Sequence, residues 1–337
     1  NPPIISTIYD YWRLKLKAVS LHDRHDFSLI HCRSYISSMI GLWMKKHYNI
    51  KFLFDMRGFW ADERVDGGLW NLKNIIYRQV YSFFKRKEKA FLEHADHIVS
   101  LTYAGKHEIN SWKHIEKTDL PISVIPCCVD TNLFNRNKIE PKKTEDARRK
   151  LGIGKNEPVI TYLGSIGTWY MLDEMLSFFK VYLKIIPDAK FLFITKDNPD
   201  FIKSRVVQLA IPEELILIVS SDRESVPIYA TLGQLSLFFI KPTYSKKSSS
   251  PTKQGELMSL GIPIICNAGV GDTDMIVNKY KSGLMVTGFD DVEFYKTVHE
   301  FVRTSFDSSQ LRKGAEDYFS LEKGVASYKN IYDLLVN

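Results

Sequence analysis

Short apolar runs alternate with amphipathic segments along the whole chain of 337 residues. Between residues 171 and 186 the apolar positions recur every three or four residues, which predicts a helix over Met171–Ile186. The apolar runs that separate such segments are short, as expected of strands that are buried in a parallel sheet. This alternation predicts an α/β protein. The predicted strands are Phe27–His31, Lys51–Phe54, His97–Leu101, Ser123–Ile125, Val159–Leu163, Phe191–Thr195, Ile216–Val219, Leu235–Ile240, Ile262–Cys266 and Gly283–Val286.

A polar stretch at Asn135–Glu145 divides these strands into two groups and predicts a linker between domains. The first group also contains two predicted helices, Ile36–Lys46 and Leu72–Glu93. A chain of this length is long for one core and comfortable for two, so we predict Rossmann-like domains at residues 1–140 and 145–318. Ligands of such domains bind beyond the carboxyl ends of the strands, so the loops there are expected to carry the chemistry.

The composition is that of an ordinary globular protein, with 45% hydrophobic and 25% charged residues. No apolar run approaches the roughly 20 residues that a membrane-spanning helix needs. The spacing of the four cysteines, Cys32, Cys127, Cys128 and Cys266, matches neither a zinc motif nor a disulfide framework. We expect them to be reduced and mostly buried, which favours the cytoplasm. The net charge of +7 suits phosphates or acidic lipids, whereas no nucleic-acid motif is present, and nucleic acid is not expected as a partner.

The segment from Ser248 to Ile265 carries the most informative pattern, with a loop, a helix and a strand in quick succession. Pro251 suits the first turn of the helix, and Ser250 or Ser249 is the expected cap. Gly261 is expected to end the helix, since glycine adopts the left-handed conformation found there.

A helix that begins at the edge of a parallel sheet presents free N–H groups and a partial positive charge to an anion. Glu256 lies just over one turn inside this helix, within reach of a sugar hydroxyl beside that anion. The segment therefore predicts a site for a nucleotide diphosphate, with the phosphates at the helix start and the ribose at Glu256. The alternative is an ordinary helix–strand connection with a glutamate on the surface.

Three charged side chains in the first half lie at or after the ends of predicted strands, and we take Arg57, His31 and Glu63 as candidate catalytic residues. Arg57 can bind a phosphate or a sugar acid bidentately, or it can form a structural pair with Asp55. His31 can contact a donor sugar, or it can be a structural residue at a strand end.

The predicted helix Leu72–Glu93 combines apolar residues with six lysines and arginines. One interpretation is that it lies on an anionic membrane, which would suit a lipid-linked acceptor and a peripheral location at the inner face of the membrane. The alternative is a domain helix whose apolar face is buried and whose basic face is solvated.

Five motifs, in this order, resemble those of the retaining glycosyltransferases of the GT-B fold, family 4. The match spans nearly the whole chain. The resemblance implies two Rossmann-like domains facing across a cleft and a nucleotide-sugar donor held by the second domain. It also implies a C-terminal helix over Leu321–Leu335 that crosses back to the first domain, so that residues 320–337 return to it. It also implies that neither a metal nor a cofactor is needed. The motifs are Phe27–Ser34 (FSLIHCRS), Phe52–Trp60 (FLFDMRGFW), Ala95–Thr102 (ADHIVSLT), Val124–Phe134 (VIPCCVDTNLF) and Tyr162–Gly167 (YLGSIG).

Two departures from the family pattern concern the donor. The family has two glutamates eight residues apart; Glu256 matches the second, which binds the ribose there, whereas the first falls on Ser248. The family often holds the phosphates with an arginine and a lysine, at positions occupied here by Ser165 and Met171. Another cation must then act, and we expect Lys253, with Lys196 and Arg57 as alternatives. The full set of candidate donor-binding residues is Gly164, Ser165, Lys196, Ser250, Thr252, Lys253 and Glu256.

These observations together predict a hexosyltransferase of polysaccharide biosynthesis that transfers a sugar, with retention, to a glycan or lipid-linked acceptor. The family's opening strand and glycine-rich loop have no counterpart in the residues before Phe27, so an incomplete site is also expected. The alternatives are a nucleotide-sugar-binding protein without catalytic activity and a GT-B-type epimerase that acts on the nucleotide sugar.

Overall fold

The computed structural model describes the backbone from Pro3 to Asn337 and the side chains from Tyr9 onward. The described residues form two compact units. Unit 1 contains the residues up to Ile125 together with Tyr244–Ser249 and Val325–Asn337, and unit 2 contains Pro126–Thr243 and Ser250–Gly324. The chain thus divides between residues 125 and 126, whereas the sequence placed the division at 140–145.

Unit 1 is built on a four-stranded parallel sheet in the order β1-β2-β3-β4. The sheet is flanked by helices, and α2 packs so closely on it that a Cβ at Gly41 would lie 2.5 Å from the sulfur of Cys32. Large aromatic side chains fill the core between sheet and helices, among them Tyr35, Phe54 and Phe91. The strands are β1 (Leu29–Arg33), β2 (Lys51–Asp55), β3 (His97–Ser100) and β4 (Ile122–Val124), and the helices are α1 (Pro3–His25), α2 (Ser34–Tyr48), α3 (Trp60–Asp66), α4 (Ile75–His94) and α5 (Tyr103–Ser111).

Unit 2 is built on a six-stranded parallel sheet in the order β10-β9-β8-β5-β6-β7. This is the doubly wound arrangement, in which the strand order reverses between β5 and β8. The strands are β5 (Val159–Leu163), β6 (Lys190–Ile194), β7 (Ile216–Val219), β8 (Leu235–Phe238), β9 (Ile264–Asn267) and β10 (Gly283–Val286). The helices are α6 (Pro141–Lys150), α7 (Leu172–Leu183), α8 (Pro199–Gln208), α9 (Val226–Ala230), α10 (Thr252–Ser259), α11 (Thr273–Tyr280), α12 (Asp291–Arg303) and α13 (Ser308–Tyr318). Helix α14 (Leu321–Val336) begins in unit 2 and continues in unit 1.

All ten predicted strands are present, with boundaries shifted by at most two residues. The last part of α14, from Val325, belongs to unit 1, which confirms the predicted return of the C-terminal helix. The predicted linker was wrong in part, because α6 begins at Pro141 within it. Proline is favoured in the first turn of a helix, and that local signal outweighs the polar composition of the stretch.

The cysteines are all free thiols, but only two of them are buried. Burial raises the pKa of the Cys32 thiol to about 12. Cys127 and Cys128 are partly exposed, so the expectation that the cysteines are mostly buried holds for half of them. Among the described residues, none of the helices combines the length and apolarity that crossing a membrane would require.

Candidate functional site

The strand reversal in unit 2 places the loop after β5 and the segment before α10 at the same edge of the sheet. Such a reversal leaves a crevice at the carboxyl ends of the strands, where ligands of doubly wound sheets bind. Gly164, the first residue after β5, has φ +121°, a conformation that other residues rarely adopt. A Cβ at this position would lie 3.0 Å from the Nζ of Lys253, so glycine permits the close contact between the loop and α10.

Helix α10 begins at Thr252 with Pro251 as its cap residue, and no side chain caps it. The prediction that Ser250 or Ser249 caps the helix was therefore wrong. The Ser250 hydroxyl instead accepts a hydrogen bond from the backbone N–H of Cys127 at 3.1 Å. The predicted stop was correct, because Gly261 follows the helix with φ +68°.

Lys253 is buried in an aromatic cage rather than solvated at the helix end. Its Nζ lies 3.1 Å from the hydroxyl of Tyr162 and within 3.7 Å and 4.2 Å of the ring centres of Tyr170 and Tyr162. The ring of Phe238 completes the cage at 5.8 Å. Within the described part of the chain, Lys253 forms no ion pair.

Burial lowers the pKa of Lys253 well below its ordinary value, and the nearby Glu256 opposes this shift only in part. The aromatic rings also favour an ammonium ion, by about 0.5–2 kcal/mol per contact. Desolvation exceeds these effects because water is excluded from the whole side chain. Among the described residues, Lys253 thus forms no ion pair, although it lies in the first turn of a helix whose start favours anions.

Glu256 is also buried, and its carboxylate forms an ion pair with Arg223 at 2.5 Å. The guanidinium of Arg223 lies 4.5 Å above the ring of Phe134. Arg223 was missed from the sequence, since nothing in its neighbourhood along the chain indicates a partner at residue 256. The arrangement fixes the carboxylate at the edge of the crevice, with an exposed arginine beside it.

The other predicted donor-binding residues lie in the loops around this point. The Ser165 carbonyl accepts a hydrogen bond from the Tyr162 hydroxyl, and the next residue, Ile166, donates its N–H to Asp197. Lys196 is exposed immediately after β6, the strand that pairs with β5. The structure thus brings the predicted donor-binding residues of unit 2 to one edge of its sheet.

Unit 1 contains the three candidate catalytic residues. The Nδ1 of His31 lies 2.8 Å from the hydroxyl of Tyr332, and its Nε2 lies 3.6 Å from the carboxylate of Asp55. Asp55 also accepts a hydrogen bond of 3.0 Å from Tyr328. Both tyrosines belong to α14, so His31 and Asp55 bind the C-terminal helix to the ends of β1 and β2.

Arg57 and Glu63 differ in their surroundings. Arg57 adopts the left-handed conformation with φ +58°, which costs an ordinary side chain about 1–2 kcal/mol. Glu63 forms an ion pair of 2.6 Å with Lys246, whose side chain is only 7% exposed. Lys246 belongs to the short turn Tyr244–Ser249, which was not expected in unit 1.

Several further contacts hold this turn in unit 1. The backbone N–H of Ser245 donates to Asp66, and Lys247 pairs with Glu108, both at 2.9 Å. Ser248, the position of the family's first glutamate, is buried with its hydroxyl 2.7 Å from where a Cβ at Gly105 would lie. Ser248 is therefore enclosed, and a glutamate at this position would require its neighbours to move.

Two family profiles match the chain. The profile of Glycosyltransferase Family 4 matches residues 1–133, and that of Glycosyl transferases group 1 matches residues 143–317. No curated protein matches.

Solved structures share the fold at low sequence identity. Sucrose-phosphate synthase from Thermosynechococcus elongatus is 18% identical, with 96% of this chain and 77% of that one covered and a TM-score of 0.74. A glycosyltransferase from Rickettsia africae is 18% identical, with 100% of this chain and 83% of that one covered and a TM-score of 0.73. Anabaena HepE in complex with UDP-glucose is 13% identical, with 96% and 82% covered and a TM-score of 0.73. Because the second profile spans more than half of the chain, the chain belongs to the glycosyl transferases group 1 and is a glycosyltransferase with the GT-B fold.

Proposed function

We propose that this glycosyltransferase moves a hexose from a nucleotide-diphosphate donor to a hydroxyl of a glycan or lipid-linked acceptor, with retention and without a metal ion. The observation that carries the donor assignment is Lys253, which is buried in its aromatic cage and forms no ion pair with a described residue. A phosphate at the start of α10 would supply the missing negative charge. The UDP-glucose bound to the similar HepE structure supports this class of donor.

The remaining donor contacts follow from the same edge of the sheet. The N–H groups in the first turn of α10 would bind the phosphates, as helix starts do for anions. Glu256 would accept hydrogen bonds from the ribose while Arg223 holds its carboxylate in place. Further contacts are proposed for Gly164, Ser165, Lys196, Ser250 and Thr252.

The transfer breaks the bond between the anomeric carbon and a diphosphate oxygen and forms a bond from that carbon to the acceptor oxygen. The acceptor's proton ends on the leaving diphosphate. The transition state resembles an oxocarbenium ion, so negative charge builds up on the leaving group. Lys253 and the α10 N–H groups would stabilise that charge, which is the largest contribution that positioned groups usually make.

Of the three candidates in unit 1, we propose Arg57 as the one that contacts substrate. His31 and Glu63 are engaged in holding α14 and the turn Tyr244–Ser249, so we propose positioning roles for both.

A second candidate is a protein that binds nucleotide sugars without transferring them. Burial of Ser248 favours it, because no carboxylate stands at the position from which the family contacts the donor sugar.

Calorimetry with UDP-, GDP- and ADP-sugars tests donor binding, and release of free sugar or transfer to added acceptors tests turnover. We expect one base to be preferred and Lys253→Met to weaken binding about 10–100-fold, the value of a charged hydrogen bond. Lys180→Met, on the exposed face of α7, is the matched control and should bind as the unaltered chain does. Glu256→Gln should weaken nucleotide-sugar binding but not the binding of inorganic pyrophosphate. If none of the donors binds, the proposal is refuted, and if a donor binds without turnover, the second candidate is supported. The anomeric NMR signal of the product tests whether the sugar is transferred with retention.

A further inference from the structure

The start of α4 and the loop before it expose a row of large apolar side chains. Leu69, Ile75 and Ile76 are each about 60% exposed, and Tyr77 and Phe83 are about 40% exposed. Only one face of the helix is buried, through residues in its second half. The apolar side chains of α4 are thus buried only on that face, and the apolar side chains of its first two turns are exposed to solvent.

The same segment has a one-sided charge. No acidic residue occurs between Asp66 and Glu88, and Glu88 is itself buried and paired with Lys85. The ammonium of Lys87 lies 5.5 Å from the ring centre of Phe83, so a cation and an exposed apolar side chain lie side by side in this segment. The lysines and arginines of the segment are Lys73, Arg78, Lys85, Arg86 and Lys87.

We propose that this surface, residues 69–87, binds the headgroups of an anionic lipid bilayer, with the exposed apolar side chains inserted at the boundary between headgroups and acyl chains. Interfacial helices combine these two features and bury their apolar face by about 5–10 Å. Lys85 is paired with Asp62 and Glu88, whereas the other four cations form no ion pair with a described acid. Such cations attract anionic lipids. An acidic soluble protein would satisfy the charges, but it would not by itself account for the exposed isoleucines and leucine.

Co-sedimentation of the full chain with vesicles tests this. We expect binding to phosphatidylcholine vesicles that contain phosphatidylglycerol, weaker binding in high salt, and none to phosphatidylcholine alone. Arg78→Glu with Arg86→Glu should weaken binding by at least about fivefold for each cation removed. Ile75→Ser with Ile76→Ser should also weaken vesicle binding, both at low salt and at high salt.

The matched control is Val292→Ser with Val302→Ser on α12, since these valines are 80% and 54% exposed in unit 2. This control should sediment with the vesicles as the unaltered chain does. All the substituted residues are exposed, so unfolding transitions close to that of the unaltered chain are expected. Failure to bind anionic vesicles at low salt would overturn the proposal, as would equal binding by the α4 variants and the control. The proposed donor chemistry does not depend on either result.

Discussion

Replacing Lys253 with methionine removes a buried amine but keeps a side chain that fits the aromatic cage. The native pKa of Lys253 is lowered by desolvation, whereas in the unfolded chain the lysine titrates near its ordinary value. Between these two pKa values the unfolded state binds one more proton than the native state. The unaltered chain must therefore become more stable, relative to Lys253→Met, as the pH rises through this interval.

The magnitude follows from the linkage relation. Wherever the unfolded lysine is protonated and the native one is not, this difference of one proton changes the free energy of unfolding by about 1.4 kcal/mol for each pH unit. Glu256 does not cancel this effect, because its carboxylate is already paired with Arg223. We therefore expect the stability of Lys253→Met, relative to the unaltered chain, to fall as the pH rises toward the ordinary pKa of lysine.

Guanidinium denaturation at several pH values measures the difference. Other groups titrate equally in both proteins, so only the comparison between them matters. Lys180→Met should show no dependence of this kind. A stability difference between Lys253→Met and the unaltered chain that stays constant as the pH rises toward the ordinary pKa of lysine would contradict the linkage argument.

Nucleotide binding gives an independent measurement, which rests on the proposed donor site. A diphosphate beside Lys253 would favour the ammonium form, so binding should be accompanied by proton uptake. Calorimetry in buffers of different ionisation enthalpy measures this uptake, and it should be absent in Lys253→Met. Binding without proton uptake would show that the phosphates lie elsewhere while leaving the stability result intact.

Three further outcomes are expected. Gly164→Ala should weaken nucleotide binding at least about tenfold, because the φ of +121° at this position strains alanine by about 1–3 kcal/mol and the added Cβ would press on the amine of Lys253. Gly167→Ala is the control and should bind normally, since the space around Gly167 is open. Glu63→Gln should lower the free energy of unfolding by about 1–2 kcal/mol because the carboxylate beside buried Lys246 is lost, and an unchanged denaturation midpoint would contradict this. Because burial raises its pKa to about 12, Cys32 should resist alkylation near neutral pH until the chain unfolds, which peptide mass spectrometry of iodoacetamide-treated protein can check.

Local patterns predicted the strands because each apolar run has to be buried, and that requirement is visible in the run itself. The end of helix α10 at Gly261 was also predictable from a local signal, since a single glycine satisfies the left-handed conformation. The cap was not predictable, because the Ser250 hydroxyl bonds to Cys127, a residue more than a hundred positions away. Helix α3 was missed, since it has only seven residues and its apolar positions are too few to show a period.

In the candidate site too, some features could be predicted from the sequence and others could not. Thr252, Lys253 and Glu256 were recognisable because one short helix carries them all. The cage around Lys253 was not, since its rings come from β5, β8 and the loop before α7. The surroundings of Lys253 and the ion pair of Glu256 therefore depend on groups that only the folded chain brings together.

The sequence by itself determined the α/β class, the two groups of strands and the family, because these depend on which residues are apolar and on short motifs in order. Tertiary structure alone decided which acid meets which base, as with Glu63 and Lys246, and placed Tyr244–Ser249 in unit 1. The physical reason is distance along the chain. Hydrophobic periodicity acts between neighbours, whereas a buried charge is stabilised by groups that only folding brings within a few ångströms of it.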